Sequence, residues 1–167
     1  ILTYQLEVPW LPPQTVGPVL GGLFILPSVL LSATTGQWAD RSDLAGLMRL
    51  AKSAEVLMMM LAAWALWAHH VPALLLCVLL SGVHVTLFST VKYAYVPRHL
   101  TASGLTGGNG LLEMGTFTAI LLGTICGGVL LAPHWGGLYG VMVVIVALAL
   151  AGRLAVQWVP STPPVSP

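Results

Sequence analysis

Five apolar runs of membrane-crossing length dominate this 167-residue chain and restrict its fold more than any other feature. They cover Val16–Thr35, Leu50–Ala68, Val71–Val91, Leu105–Leu131 and Leu138–Val159, each near or above the roughly 20 residues that a helix needs to cross a bilayer. In hydrocarbon a chain must satisfy its own backbone hydrogen bonds, which selects helices for runs of this length. Hydrophobic residues make up 57% of the chain and charged residues 7%, whereas a soluble domain carries roughly 25% charged residues. The expected fold class is all-α integral membrane, with the lipid bilayer as the first partner. The net charge of +1 leaves no basic field of the kind that attracts nucleic acid.

The basic residues give each loop a side. Arg41, Arg49 and Lys52 lie in or beside the loop after the first run, Lys92 and Arg98 follow the third, and Arg153 lies near the end of the fifth. All six fall on one side, which the positive-inside rule makes cytoplasmic. The turns at His69–Pro72 and Pro133–Gly136 then face outward, the first residue lies outside and the last inside. Tryptophan favours the headgroup level, and Trp10, Trp64, Trp67 and Trp135 mark outer ends while Trp38 and Trp158 mark inner ones. Ile1–Leu6 reads as the tail of an earlier helix, followed by a loop Glu7–Thr15 containing Pro9, Pro12 and Pro13. The chain begins with Ile, in mid-pattern and without a signal peptide, so a fragment of a longer protein is expected. Pro160–Pro167 reads as the Pro-rich start of a cytoplasmic linker. Short loops predict sequential helices packed as antiparallel neighbours. Three Gly-x-x-x-Gly pairs, Gly17/Gly21, Gly123/Gly127 and Gly136/Gly140, offer faces for close approach.

Two groups of residues stand out against this background. At the inner end of the first run, Gly36-Gln37-Trp38-Ala39-Asp40-Arg41 combines a small residue with a carboxylate and a guanidinium. Asp40 can accept hydrogen bonds from the N-terminus of a neighbouring helix, where the partial positive charge favours an anion, and Arg41 can pair with it. Such a cluster suits an inner gate; an ordinary charged loop is the plainer alternative. The second group lies in Lys92–Gly128, which puts a lysine at the end of one run and Asn109 and Glu113 inside the next. Charge retained at that depth is costly and usually functional. Asn109 stands one helical turn before Glu113, so both share a face. Lys92 can instead snorkel to the headgroups, and Glu113 can be a carboxylate hydrogen-bonded between helices.

Other polar residues read more quietly. His84, mid-run, is a packing histidine or a proton or substrate site. Glu55 reads as an interfacial charge near Lys52. His69 and His70 have no nearby partner for a metal, and Cys77 and Cys126 read as small apolar fillers. No His-Glu-x-x-His helix, Gly-x-Ser-x-Gly elbow or Walker loop is present in the sequence, so no enzyme, metal or cofactor is expected and ATP is not the direct energy source.

The hexapeptide Gly36–Arg41 resembles the inner-loop signature of the major facilitator superfamily: Gly, three residues, Asp, then Arg or Lys. It departs afterwards, with Asp43 where Gly is expected and Leu44-Ala45 in place of a basic pair. A longer stretch is similar to the lysophospholipid transporter branch of that superfamily, as found in fused acyltransferase/acyl-carrier-protein synthetase chains. It comprises Val91-Lys92-Tyr93, Pro97, Gly107-Gly108-Asn109-Gly110-Leu111-Leu112-Glu113-Met114, Ile120–Gly123 and Gly127-Gly128. The resemblance implies a twelve-helix parent in a bacterial inner membrane. Residues 1–159 would be most of its N-terminal six-helix half, the C-terminal half of the same chain a missing partner, and an acyltransferase a possible fused or associated one. It implies movement of lysophospholipid, chiefly lysophosphatidylethanolamine, to the cytoplasmic leaflet for reacylation. Lys92 then suits the phosphate, Glu113 the ammonium, and Asn109 lines the same path. A facilitator for another small molecule or drug, a membrane domain serving mainly a fused acyltransferase, and a purely structural subunit are the alternatives.

Overall fold

A computed structural model of the chain describes residues 12–162. The expectations for Ile1–Leu6, Pro9, Trp10 and the last five residues, from Pro163, lie outside the described residues. Among those described, the regular structure is helical throughout: α1 (Pro13–Arg41), α2 (Leu44–Trp67), α3 (Val71–His99), α4 (Leu105–Leu130) and α5 (Gly137–Ala155), with 3-10 turns at Pro133–Trp135 and Val156–Trp158. All five helices are long and apolar enough to cross a membrane.

Three helices run further than their apolar runs. α1 continues six residues past Thr35 through the whole Gly36–Arg41 group, α3 continues eight past Val91 to His99, and α2 begins six before Leu50. Apolarity measures the hydrocarbon slab, whereas a helix ends where its backbone is capped. Asp43 caps α2, its Oδ2 accepting from the Gly46 amide at 2.9 Å, and such a cap satisfies one of the orphan amides of the first turn. His70 caps α3 in the same way, its Nδ1 accepting from the Ala73 amide at 3.2 Å. Pro18 and Pro27 lie inside α1 and Pro97 inside α3; membrane helices tolerate such prolines when neighbours satisfy the freed groups.

Packing departs from the sequential order that short loops suggest. α1 makes its main contacts with α3, α3 with α2, and α2 with α5, while α4 touches α3 and α5 lightly. A two-residue link fixes where α2 begins but does not choose its partner. The α1–α3 contact is chosen by Gly82, where an added Cβ would lie 3.0 Å from both the Phe24 carbonyl carbon and Pro27 Cγ. Hydroxyl pairs Ser28–Thr86 at 2.8 Å and Thr35–Thr90 at 3.4 Å continue the same seam. The expected Gly-x-x-x-Gly faces do other things. Nothing lies near a Cβ added at Gly17, Gly21, Gly123 or Gly127, and Gly136 and Gly140 close on each other and on Trp135 within one turn. A small-residue stripe makes a helix face smooth, but a neighbour has to be present to use it.

The apolar core forms two layers. One, at the end carrying Trp64 and Trp135, gathers Val16, Ala65, Leu66, Ala73, Leu74 and Met142; the other, at the end carrying the basic residues, gathers Ala39, Leu44, Leu47, Met48, Val91 and Val156. Between them lies a more polar middle. Trp38, Trp64, Trp67, Trp135 and Trp158 are all exposed near helix ends, as interfacial tryptophans should be.

Candidate functional site

The extension of α3 to His99 changes the depth of Lys92. It lies seven residues from the end of α3, and Glu113 lies eight from the start of α4; at 1.5 Å per residue both are about 11–12 Å in from the same end of the bundle. Lys92 and Glu113 therefore stand at similar distances from that end. The two charges still do not meet directly. Lys92 Nζ donates to Thr116 Oγ1 at 3.2 Å and sits 4.7 Å from the centre of the Tyr93 ring, and the Tyr93 hydroxyl donates to Glu113 Oε1.

Two neighbours on α3 thus reach two residues three apart on α4. Glu113 and Thr116 share a face because i and i+3 do, and Asn109 stands on that face one turn nearer the helix start. Asn109 is exposed and makes no hydrogen bond among the described residues. Tyr93 and Thr116 were not singled out as site residues from sequence. Thr116 is one of four threonines on α4, and nothing in the spacing distinguishes it until Lys92 is placed beside it.

α4 depends on this seam. None of its residues is buried, and its tightest approach to α3 is at Gly108, against Leu100 and Val96. The polar contacts and this one glycine hold α4 to the bundle over its basic-end half, leaving Leu111, Met114, Phe117 and Leu121 exposed.

The Gly36–Asp40–Arg41 group is helical and arranged differently from expectation. Nothing lies near a Cβ added at Gly36. Asp40 Oδ1 stands 3.7 Å from Arg98 Nη2 of α3, rather than pairing with Arg41, which is exposed and makes no ion pair among the described residues. The carboxylate at a helix N-terminus is that of Asp43. Its second oxygen, Oδ1, accepts from the Thr162 amide at 2.6 Å, so one side chain caps α2 and anchors the segment that leaves α5. Arg49 Nη2 donates to the Val159 carbonyl at 2.9 Å, and the Tyr95 hydroxyl to the Pro160 carbonyl at 3.4 Å. The residues after α5 therefore cross the ends of α2 and α3. This accounts for Asp at the position where the superfamily signature has Gly: here the side chain does work that glycine cannot.

A second polar group lies deeper. Glu55, expected at an interface, sits mid-helix because α2 begins at Leu44. Its Oε2 accepts from Lys52 Nζ at 2.6 Å and stands 3.5 Å from His84 Nε2 of α3. Lys52 and His84 both lie on the Phe88 ring, the lysine 4.7 Å from its centre and the imidazole stacked at 5.8 Å. Arg153 of α5 donates to Ser53 Oγ at 2.7 Å.

No family model matches the chain, and no solved structure matches it. Curated proteins do. It is 30% identical over 156 residues, 93% of its length, to the lysophospholipid transporter LplT of Klebsiella pneumoniae, and covers 37% of that protein. It is 29% identical over 152 residues to the transporter of the same name from an Enterobacter species, covering 91% of this chain and 37% of the relative. Over 72 residues, 43% of the chain and 17% of the relative, identity to the Escherichia coli protein reaches 42%. The chain is homologous to the lysophospholipid transporters. This agrees with the resemblance carried by Lys92–Gly128. The chain spans about a third of the length of the relatives it matches, and those relatives are named as transporters rather than enzymes.

Proposed function

We propose that this chain is part of a secondary transporter of the major facilitator type that moves lysophospholipid across the bacterial inner membrane. The observation that carries the proposal is the homology to lysophospholipid transporters together with the α3–α4 seam, where a lysine and a carboxylate stand at one depth. A lysophosphatidylethanolamine headgroup carries one phosphate and one ammonium. Lys92 is the cation for the first and Glu113 the anion for the second, with Asn109 lining the approach. Each charge has an internal partner, Thr116 or Tyr93, that cargo replaces on entry. Exchanging one hydrogen bond for another keeps both charged groups satisfied throughout.

The basic end is the cytoplasmic one on this reading, and delivery to that leaflet feeds reacylation by an acyltransferase, fused or separate. Residues 1–159 supply most of one half of the cleft and the segment from Pro160 begins a linker to the other. Rocking of the halves about a midplane site then alternates access. Gly36, Asp40 and Arg41 belong to the inner gate, with Arg98 as the partner across from Asp40.

The test is uptake of labelled lysophosphatidylethanolamine by vesicles carrying the full-length parent, beside Lys92→Ala and Glu113→Gln variants at matched abundance. Uptake that falls at least tenfold in either variant is the expected result. A folded parent that takes up none refutes the lipid cargo, and unchanged uptake in both variants refutes the assigned residues while keeping the cargo.

A further inference from the structure

Between the two apolar layers of the core, Glu55 faces two possible cations and is bonded to one. Lys52, on the same helix, holds it at 2.6 Å. His84, on α3, reaches to 3.5 Å, and its Nε2 is buried without a hydrogen-bond partner. The histidine side chain is 14% exposed and the carboxylate side chain 21%. A buried imidazole nitrogen with no hydrogen-bond partner 3.5 Å from a carboxylate is placed to bind a proton, because the imidazolium N–H turns near-contact into a charge-assisted bond.

We infer that Lys52, Glu55 and His84 form a proton-binding site, distinct from the Lys92–Glu113 path. The bound species is one proton drawn from water, taken up on His84 Nε2; the imidazolium N–H then donates to Glu55, which leaves Lys52. No electron moves and no covalent bond other than N–H forms. The lysine keeps a resting place, since its ammonium already lies over the Phe88 ring, where a cation is favoured. The consequence is a change in which helices are tied together. Lys52–Glu55 is a bond within α2, whereas Glu55–His84 joins α2 to α3.

The surrounding charges set the terms. From α2 the site faces Lys52 and Glu55, and from α5 it faces Arg153, bonded to Ser53. The seam of α1 against α3 offers hydroxyls, Ser28 and Thr35, and no titratable group; the charges of α1, Asp40 and Arg41, lie at its end. α4 puts Glu113 against Lys92 and Tyr93, about two turns further along α3. Lys52 thus competes with the imidazolium for one carboxylate, so the proton is taken up on acidification.

The test uses the full-length parent in liposomes, labelled with 15N-histidine, and solid-state spectra between pH 8 and pH 5. The signal missing in His84→Gln identifies the residue. The expected result is conversion of that signal from neutral imidazole to imidazolium on acidification, loss of the charged form in Glu55→Gln at the pH where the parent has it, and its appearance at higher pH in Lys52→Met. The His70 signal, which reports the capped start of α3, shows that each variant is folded. A His84 signal that stays neutral to pH 5, or that titrates identically in Glu55→Gln, overturns the inference. No cargo is present, so either outcome leaves the lipid proposal where it stood.

Discussion

Replacing Gly82 by alanine should force α1 away from α3. The new methyl would stand 3.0 Å from the Phe24 carbonyl carbon and 3.0 Å from Pro27 Cγ, with the Phe24 carbonyl oxygen nearer still. Carbon atoms sit comfortably at about 3.5–4.0 Å and the nearer oxygen sets the larger demand, so the helices must part by roughly 1 Å. The blocking atoms are backbone and a proline ring, neither of which can rotate aside. Ser28 and Thr86, one turn further along each helix, are hydrogen-bonded at 2.8 Å, and that bond lengthens beyond usefulness as the helices part. Overpacking costs about 1–3 kcal/mol, and an interhelical hydrogen bond in a membrane averages about 0.6 kcal/mol. Alanine's helix propensity returns up to about 1 kcal/mol, leaving a net destabilisation of roughly 0.6–2.6 kcal/mol. Gly21→Ala is the control, because its methyl meets open space and the propensity gain stands alone. Unfolding of the full-length parent by sodium dodecyl sulfate in mixed micelles, followed by tryptophan fluorescence, compares the two. Equal midpoints for Gly82→Ala and Gly21→Ala would refute the close contact and the packing order built on it.

Two further substitutions separate the roles of neighbouring carboxylates. Asp43→Ala removes both the α2 cap and the anchor of Thr162; a stability loss of about 1–2 kcal/mol is expected, with faster limited proteolysis after Val159, and an unchanged cleavage rate would show that the segment is held elsewhere. Asp40→Asn neutralises an exposed carboxylate 3.7 Å from the half-buried Arg98 and should change stability by less than about 1 kcal/mol, so any larger loss of uptake in that variant reports gating rather than folding; a large drop in the unfolding midpoint would contradict this.

The number and helical character of the spans were legible in composition, because hydrocarbon leaves a long apolar run little choice. The common location of the basic residues followed from counting. What the pattern hid was where helices stop and which neighbours they choose. Hydropathy ended α3 at Val91, yet Tyr93, Tyr95 and Arg98 continue it, since amphipathic side chains are at home at the headgroup level. That end put Lys92 at the limit of its run, and the late start read for α2 put Glu55 near the beginning of its own. Lys92, Asn109 and Glu113 were visible as polar residues out of place, but their partners were not. Thr116 and Tyr93 are unremarkable in a membrane helix until a second helix brings a charge to them. The same limit applies to Gly82. Nothing in its local sequence distinguishes it from Gly21, and only the approach of Phe24 does.

α3 is the element through which these sites affect one another. Its face bearing Gly82, Thr86 and Thr90 meets α1, the face bearing Cys77, Ser81 and His84 meets α2, and Lys92 and Tyr93 reach α4. His84 and Lys92 are eight residues apart, about 12 Å along the axis and turned by about 80°, so neither side chain contacts the other's partners. A helix is stiff over two turns, however, and a rotation that brings His84 onto Glu55 also turns Lys92 relative to Thr116. Gly82→Ala, which touches neither group, should therefore weaken uptake in proportion to how far it displaces α3. Glu113→Gln, whose amide oxygen can still accept from Tyr93, should instead lower uptake while leaving the unfolding midpoint in place. Measuring midpoint and uptake on the same vesicles distinguishes a residue that meets the cargo from one that sets the position of α3, because only the second kind moves both.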